Sequence, residues 1–210
     1  MSELRIPDPA ERDDLGAFVA RAVRLDSEAM VRLRACNGRV DAWVASPFDT
    51  LVTRSVPGEL RPADVTVGGS DLLAALAVVG AAVLDPGRPR DVLWRSELPP
   101  DQGWREVDQV PAGVLFDLAD RGAAVVRENP GPHGTPPAGL LDQKVITVSG
   151  AGFDVRVPLR CLLALSGMGF LGGHGATETV RVSATDSWLR LDARYGAALR
   201  RRHALLPLLV

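Results

Sequence analysis

The chain has 210 residues, 46% hydrophobic and 24% charged, with a formal net charge of −2. That is the composition of a globular protein of one large domain or two small ones, long enough to bury its apolar surface without disulfides. Twenty-three arginines stand against one lysine, Lys144, which is the codon bias of a GC-rich genome, so abundant arginine alone carries no nucleic-acid signal.

Charge is unevenly spread. Residues 1–128 carry 15 Arg against 21 acids, net −6; residues 129–210 carry 8 Arg and one Lys against 5 acids, net +4. The C-terminal third is mildly basic, well short of a typical nucleic-acid domain. The N-terminus, MSELRIPDPAERDD, has no basic stretch followed by an apolar one, so no signal peptide is read there. The longest apolar run, Leu72 to Leu84, is too short to span a bilayer. A cytoplasmic location without membrane contact is expected by elimination. Cys36 and Cys161 lie far apart with no CxxC spacing, and read as two buried free thiols.

In chain order, Asp8-Pro9 opens a helix over 9–24 as N-cap and first helical residue. Leu15, Phe18, Val19, Ala22 and Val23 fall on one helical face. VRLRAC, Asn37-Gly38 and RVDAWV then read as a hairpin with a type I′ turn. That turn pairs residues whose numbers sum to 75. Val31, Leu33, Ala35, Val40, Ala42 and Val44 share one apolar face, while Arg34 faces Asp41 and Arg32 faces Trp43. Such cross-strand pairs are each worth roughly 0.2–1 kcal/mol. Residues 49–56 supply a third strand after Ser46-Pro47. Ser70 caps an apolar helix at 71–84, and DVLWRSEL, 91–98, is expected to be a strand. Val110-Pro111 opens a helix with Val114, Leu115, Leu118, Val125 and Val126 as its apolar positions.

The stretch 129–139, NPGPHGTPPAG, holds four Pro and three Gly and reads as a loop or linker. It separates an acidic N-terminal part, 1–128, from a mildly basic C-terminal part, 140–210; the two could also form one continuous domain. KVITVS and FDVRVP form a hairpin, Pro158 starts the helix PLRCLLALS, and ETVRVSA and SWLRLDA form a second hairpin. YGAALRRRHALLPLLV is expected to close the chain as a short amphipathic helix. The fold class is α+β, antiparallel hairpins packed with helices: α-βββ-α-β-α and then ββαββ(α).

Chemistry-bearing patterns are sparse. Gly167, Gly169 and Gly172 spell GxGxxG, with Asp192 about where a ribose-binding acid belongs. No helix-forming sequence follows, so a helix C-terminus and loop is the better reading and no cofactor is assigned. His133, His174 and His203 are isolated, which argues against a metal site. No GxSxG nucleophile motif occurs, and no catalytic residue is assigned. Lys144 reads as an edge charge at a strand entrance. Asp117, Asp120 and Arg121 read as a solvated helix face. Two candidate surfaces remain. Trp94, Arg95, Glu97 and Trp104 frame a Pro-rich loop that could line a pocket. Arg200, Arg201 and Arg202 form a basic run able to contact an anion, and are expected to be largely exposed.

The segments WRSELPP…GW, LLDQKVITV, VPLRCLLALSGMGFLG and SWLRLDARYG resemble a protein family of high-GC actinobacteria to which no activity is attached. The resemblance implies a source and no function. The expectation is a cytoplasmic protein that works by binding rather than catalysis, through a protein partner or self-association. The alternative is an enzyme acting on a small molecule in a cleft near the Trp94–Trp104 loop. A second alternative, nucleic-acid binding through the basic C-terminal part, ranks below both.

Overall fold

The computed structural model describes residues 2–78, 83–131 and 136–202. Five helices and thirteen strands occur among them, and the strands within each compact unit pair antiparallel, an α+β arrangement. The chain divides into two compact units, Met1–Glu97 and Leu98–Val210. The Pro/Gly-rich stretch 129–139 falls inside the second unit.

In the first unit, helix α1 (Pro9–Leu25) starts as its sequence dictates. The Asp8 carboxylate accepts from the Ala10 N–H at 2.9 Å, and Leu15, Phe18, Val19 and Ala22 are buried. Strands β2 (Met30–Cys36) and β3 (Arg39–Ser46) form the Asn-Gly hairpin in the expected register, with Val31 opposite Val44 and Arg34 opposite Asp41. Asn37 and Gly38 take φ of 50° and 73°, the left-handed pair a type I′ turn demands. β4 (Thr50–Pro57) adds the third strand. β6 (Asp64–Gly68), not expected, pairs on the far side of β2 and gives the order β6-β2-β3-β4. Arg32 therefore finds Asp64, a bidentate ion pair at 2.9 and 2.8 Å. This bond, more than the opposing loss of solvent, raises the Arg32 pKa above its ordinary value. A second ladder orders β5 (Glu59–Arg61), β1 (Glu3–Arg5) and β7 (Val83–Leu84).

Two expected elements of this unit are corrected. The apolar helix is α2, Gly69–Leu76, with Gly68 rather than Ser70 at its N-cap. Residues 79–82 lie outside the described residues, and Val83–Leu84 are a strand because β1 offers them backbone partners at Leu4 and Arg5. Residues 91–98 are not a strand. Asp91–Leu93 make a 3-10 turn, and the Asp91 carboxylate accepts from the Thr66 N–H at 2.6 Å, which holds the segment off the ladders.

In the second unit, β8 (Arg105–Pro111) leads into helix α3 (Ala112–Glu128). The helix opens one residue after Pro111 and buries Leu115, but Val114 and Val125 are exposed, so the expected apolar stripe is only partly used. A short helix, α4 (Ala138–Leu141), precedes the hairpin of β9 (Lys144–Gly150) and β10 (Phe153–Pro158). Its turn, Ala151-Gly152, has φ of 51° and 80°. Helix α5 (Leu159–Gly167) is buried along nearly its whole length and packs on α3. β11 (Thr179–Ala184), β12 (Trp188–Ala193) and β13 (Gly196–Arg201) complete the order β13-β12-β11-β8.

The closing amphipathic helix is corrected. Residues 196–201 are a strand, paired from Gly196 opposite Ala193 to Arg201 opposite Trp188. Ladder partners on β12 outweigh the helix preference of Ala, Leu and Arg. Residues 203–210 lie outside the described residues, as do His133 and His203. Cys161 is buried as expected, but Cys36 is exposed, because it ends β2 beside the hairpin turn. No described helix is long and apolar enough to cross a membrane.

Candidate functional site

Counted by unit, the charge asymmetry of the sequence fades. Residues 1–97 hold 12 Arg against 15 acids, net −3, and residues 98–210 hold 11 Arg and one Lys against 11 acids, net +1. Positive charge is concentrated locally instead. A cleft of about 460 Å³ in the second unit is lined by Lys144 of β9, Arg156 of β10 and Arg200, Arg201 and Arg202 at the end of β13. Asp142 and Asp154 line it as well, and Pro158 and Leu189 supply its apolar surface.

Strand geometry explains the convergence. On β10, Val155 and Val157 are buried, so the alternating residues Asp154 and Arg156 face out. Lys144 is the register partner of Pro158, which sets the lysine beside that outward face. Arg200 and Arg201 lie opposite Leu189 and Trp188 on β12.

The three consecutive arginines are not largely exposed; all are half-buried. They are held by partners, which is what makes their burial affordable in free energy. Arg200 lies 3.6 Å from the Asp142 carboxylate, which also pairs with the buried Arg160 at 2.7 Å. The Arg201 guanidinium stands 5.2 Å from the centre of the Trp188 ring. Arg202 donates to the Thr185 carbonyl and to the Asp154 carbonyl, both at 2.9 Å, and stacks 5.0 Å from the Phe153 ring. Arg105 covers the same ring at 4.2 Å. The side chains of Lys144 and Arg156 are exposed and have no hydrogen-bond or ion-pair partner among the described residues.

The structure thus joins two features that the sequence presented separately, the lone lysine and the arginine run. Arg156 was missed; its only sequence signal was the outward position in FDVRVP.

The Trp94–Trp104 loop is arranged differently. The Trp94 indole donates to the Ser96 carbonyl, and Arg32 stands 5.9 Å from its ring. The Trp104 indole donates to the Pro100 carbonyl at 2.9 Å, and Arg190 stands 5.9 Å from its ring. Trp94, Arg95 and Glu97 belong to the first unit and Trp104 to the second.

Gly167 ends α5, and Gly169 and Gly172 take φ of 67° and 78° in the turns that follow. No helix lies between Gly172 and β11, so the segment lacks the phosphate-facing helix of a dinucleotide fold. His174 lies 3.1 Å from the Asp117 carboxylate and edge-on to Phe116, 4.6 Å between ring centres. No group of three or more metal-ligating residues occurs among the described residues.

Comparison with known proteins separates the same two units. The family described as Domain of unknown function (DUF8185) matches residues 99–205, half of the chain. The chain belongs to that family. A second family, Domain of unknown function (DUF8010), matches residues 1–96. No curated protein matches the chain. Among solved structures, the DNA polymerase sliding clamp from Bacillus subtilis aligns with a TM-score of 0.60 at 12% identity, covering 97% of this chain and 65% of that one. A putative DNA polymerase III beta subunit from Eubacterium rectale aligns at 0.62 and 11%, with coverage of 97% and 65%. The sliding clamp from Caulobacter crescentus aligns at 0.59 and 15%, with coverage of 99% and 67%. The chain therefore spans about two thirds of the length of these clamps. At such identities the likeness is one of fold.

Proposed function

We propose that this chain is a non-catalytic binding protein, a scaffold whose work is to hold a protein partner or a second copy of itself. The observation that carries the reading is the fold. It resembles, over nearly the whole chain, proteins named as sliding clamps of DNA polymerase. The reading includes a cytoplasmic location, and the codon bias supports a GC-rich actinobacterial source.

Sedimentation equilibrium over a concentration series tests the self-association arm. Cross-linking of the native protein in its host, followed by reconstitution with the purified partner, tests the other. A chain that stays monomeric, reconstitutes with nothing and turns over a small molecule would sink the proposal.

Nucleic acid is the second reading. The relatives are named for DNA polymerase, so the fold lends no support to the expectation that nucleic acid is not a partner. Against the second reading stands a net charge of only +1 on the unit that carries the cationic cleft. A gel shift with duplex DNA at near-physiological salt separates the two. Tight binding that weakens steeply with added salt would promote the second reading to first.

A further inference from the structure

We infer that the cleft of the second unit is a binding site for a compact, multiply charged phosphate ligand, of the class of polyphosphates and nucleoside polyphosphates. The inference does not depend on the scaffold reading.

Five cations, four from three strands and Arg202 one residue beyond β13, line one cleft together with two carboxylates, Asp142 and Asp154. They divide into two sets. Arg200 and Arg202 are already bonded to the protein, through Asp142 and through the Thr185 and Asp154 carbonyls. They hold the wall of the cleft in place. The side chains of Lys144 and Arg156 are exposed and without a partner among the described residues. Arg201 is oriented by the face of Trp188. Two unpaired cations beside a pre-positioned third form a site that gains charge-assisted hydrogen bonds when a polyanion enters.

Size and shape favour a compact ligand. About 460 Å³ lies in the range of small-molecule sites, roughly 300–1,000 Å³. A duplex needs a stripe of positive charge, and outside the cleft this unit holds 7 cations against 9 acids, net −2. Single-stranded nucleic acid needs aromatic platforms for its bases, and none of the lining residues is aromatic. An acidic peptide would place carboxylates singly along a strand, whereas these five cations line one cleft of about 460 Å³. A phosphate chain concentrates several charges in that space.

Calorimetric titration of the whole protein with sodium tripolyphosphate is the test. One saturable site per chain is expected, with orthophosphate binding more weakly. The double variant K144Q/R156Q removes only exposed, unpartnered charges, so its thermal unfolding should match the parent. Its tripolyphosphate affinity should fall by about tenfold or more, the worth of one lost charge-assisted bond. Titration with ATP distinguishes the sources. Equal affinity assigns the site to the phosphate chain alone, and tighter binding assigns it to a nucleotide; either result sustains the inference. Absence of saturable binding at low ionic strength overturns it, as does undiminished binding by the double variant. So does displacement of tripolyphosphate from the cleft by lower concentrations of duplex DNA or of a Glu-rich peptide.

Discussion

The Asp142 carboxylate lies 2.7 Å from Arg160, whose side chain is only 6% exposed, while Asp142 itself is 52% exposed. A buried cation is thus held by a carboxylate at the surface, and the same carboxylate reaches Arg200 at 3.6 Å. Removing it leaves a desolvated guanidinium with fewer partners. Asp142→Ala is expected to lower stability by about 1–3 kcal/mol, below the full cost of an isolated buried charge because the carboxylate is half in water. Urea denaturation of the variant measures this. A midpoint equal to that of the parent would show that Arg160 is satisfied without Asp142.

The Asn-Gly turn gives a second prediction. Gly38 has a φ of 73° and nothing within 4 Å of the place a Cβ would take. The cost of Gly38→Ala is therefore backbone strain alone, about 1–2 kcal/mol. Loss of that size in chemical denaturation, with tripolyphosphate binding in the other unit unchanged, is the expected outcome.

Much of this hairpin was legible because its signals are local. Asn-Gly fixes the turn, the turn fixes the register, and the register sorts Val31 and Leu33 from Arg32 and Arg34. The same holds for α1, whose Asp8-Pro9 start needs no tertiary information. The failures are where distant backbone decides. Val83–Leu84 are a strand only because β1 lies beside them, and 196–201 only because β12 does. β6 and β8 were missed for the same reason. DVTVG and REVDQVP are short and carry no turn that announces them. The cleft was half legible. Lys144 and Arg200–Arg202 stood out by type, but 55 residues separate Lys144 from Arg200, and no spacing rule links them.

Acid pH should report on the Glu178–Arg194 pair. The Glu178 carboxyl is held below the usual carboxylate range, first by a backbone N–H of Glu178 itself and then by the Arg194 side chain. A depressed carboxylate contributes its stabilisation above the ordinary value and loses it as pH falls through the folded value. Carbon-13 titration of Glu178 should give a midpoint below that of a free glutamate, and Arg194→Gln should raise it. An unchanged midpoint in the variant would assign the whole shift to the backbone.

The Gly167–Gly172 segment should not hold a dinucleotide. After Gly172 the chain runs without a helix to β11, so no aligned N–H groups face a pyrophosphate. Fluorescence titration with NADH is expected to show no saturable binding that depends on Gly169. Micromolar affinity lost in Gly169→Val would refute this.

Two glycines of the second unit differ in what opposes a side chain, and that difference is measurable. A Cβ on Gly150 would lie 2.2 Å from the Val107 carbonyl oxygen, which is backbone. A Cβ on Gly122 would lie 2.2 Å from Leu159 Cδ1, where helix α3 meets helix α5. The carbonyl on β8 can retreat only if its strand moves away from β9, whereas the leucine methyl can move by rotating a side-chain bond. Gly122 also sits in a helix interior, where alanine regains up to about 1 kcal/mol of propensity. Gly150→Ala is therefore expected to cost about 1–3 kcal/mol, and Gly122→Ala distinctly less. Thermal unfolding of both variants under one set of conditions gives the comparison. An inverted order would mean that the β8–β9 approach yields more readily than the α3–α5 contact, and that the helices, rather than the strands beside the cleft, are the stiffer part of this unit.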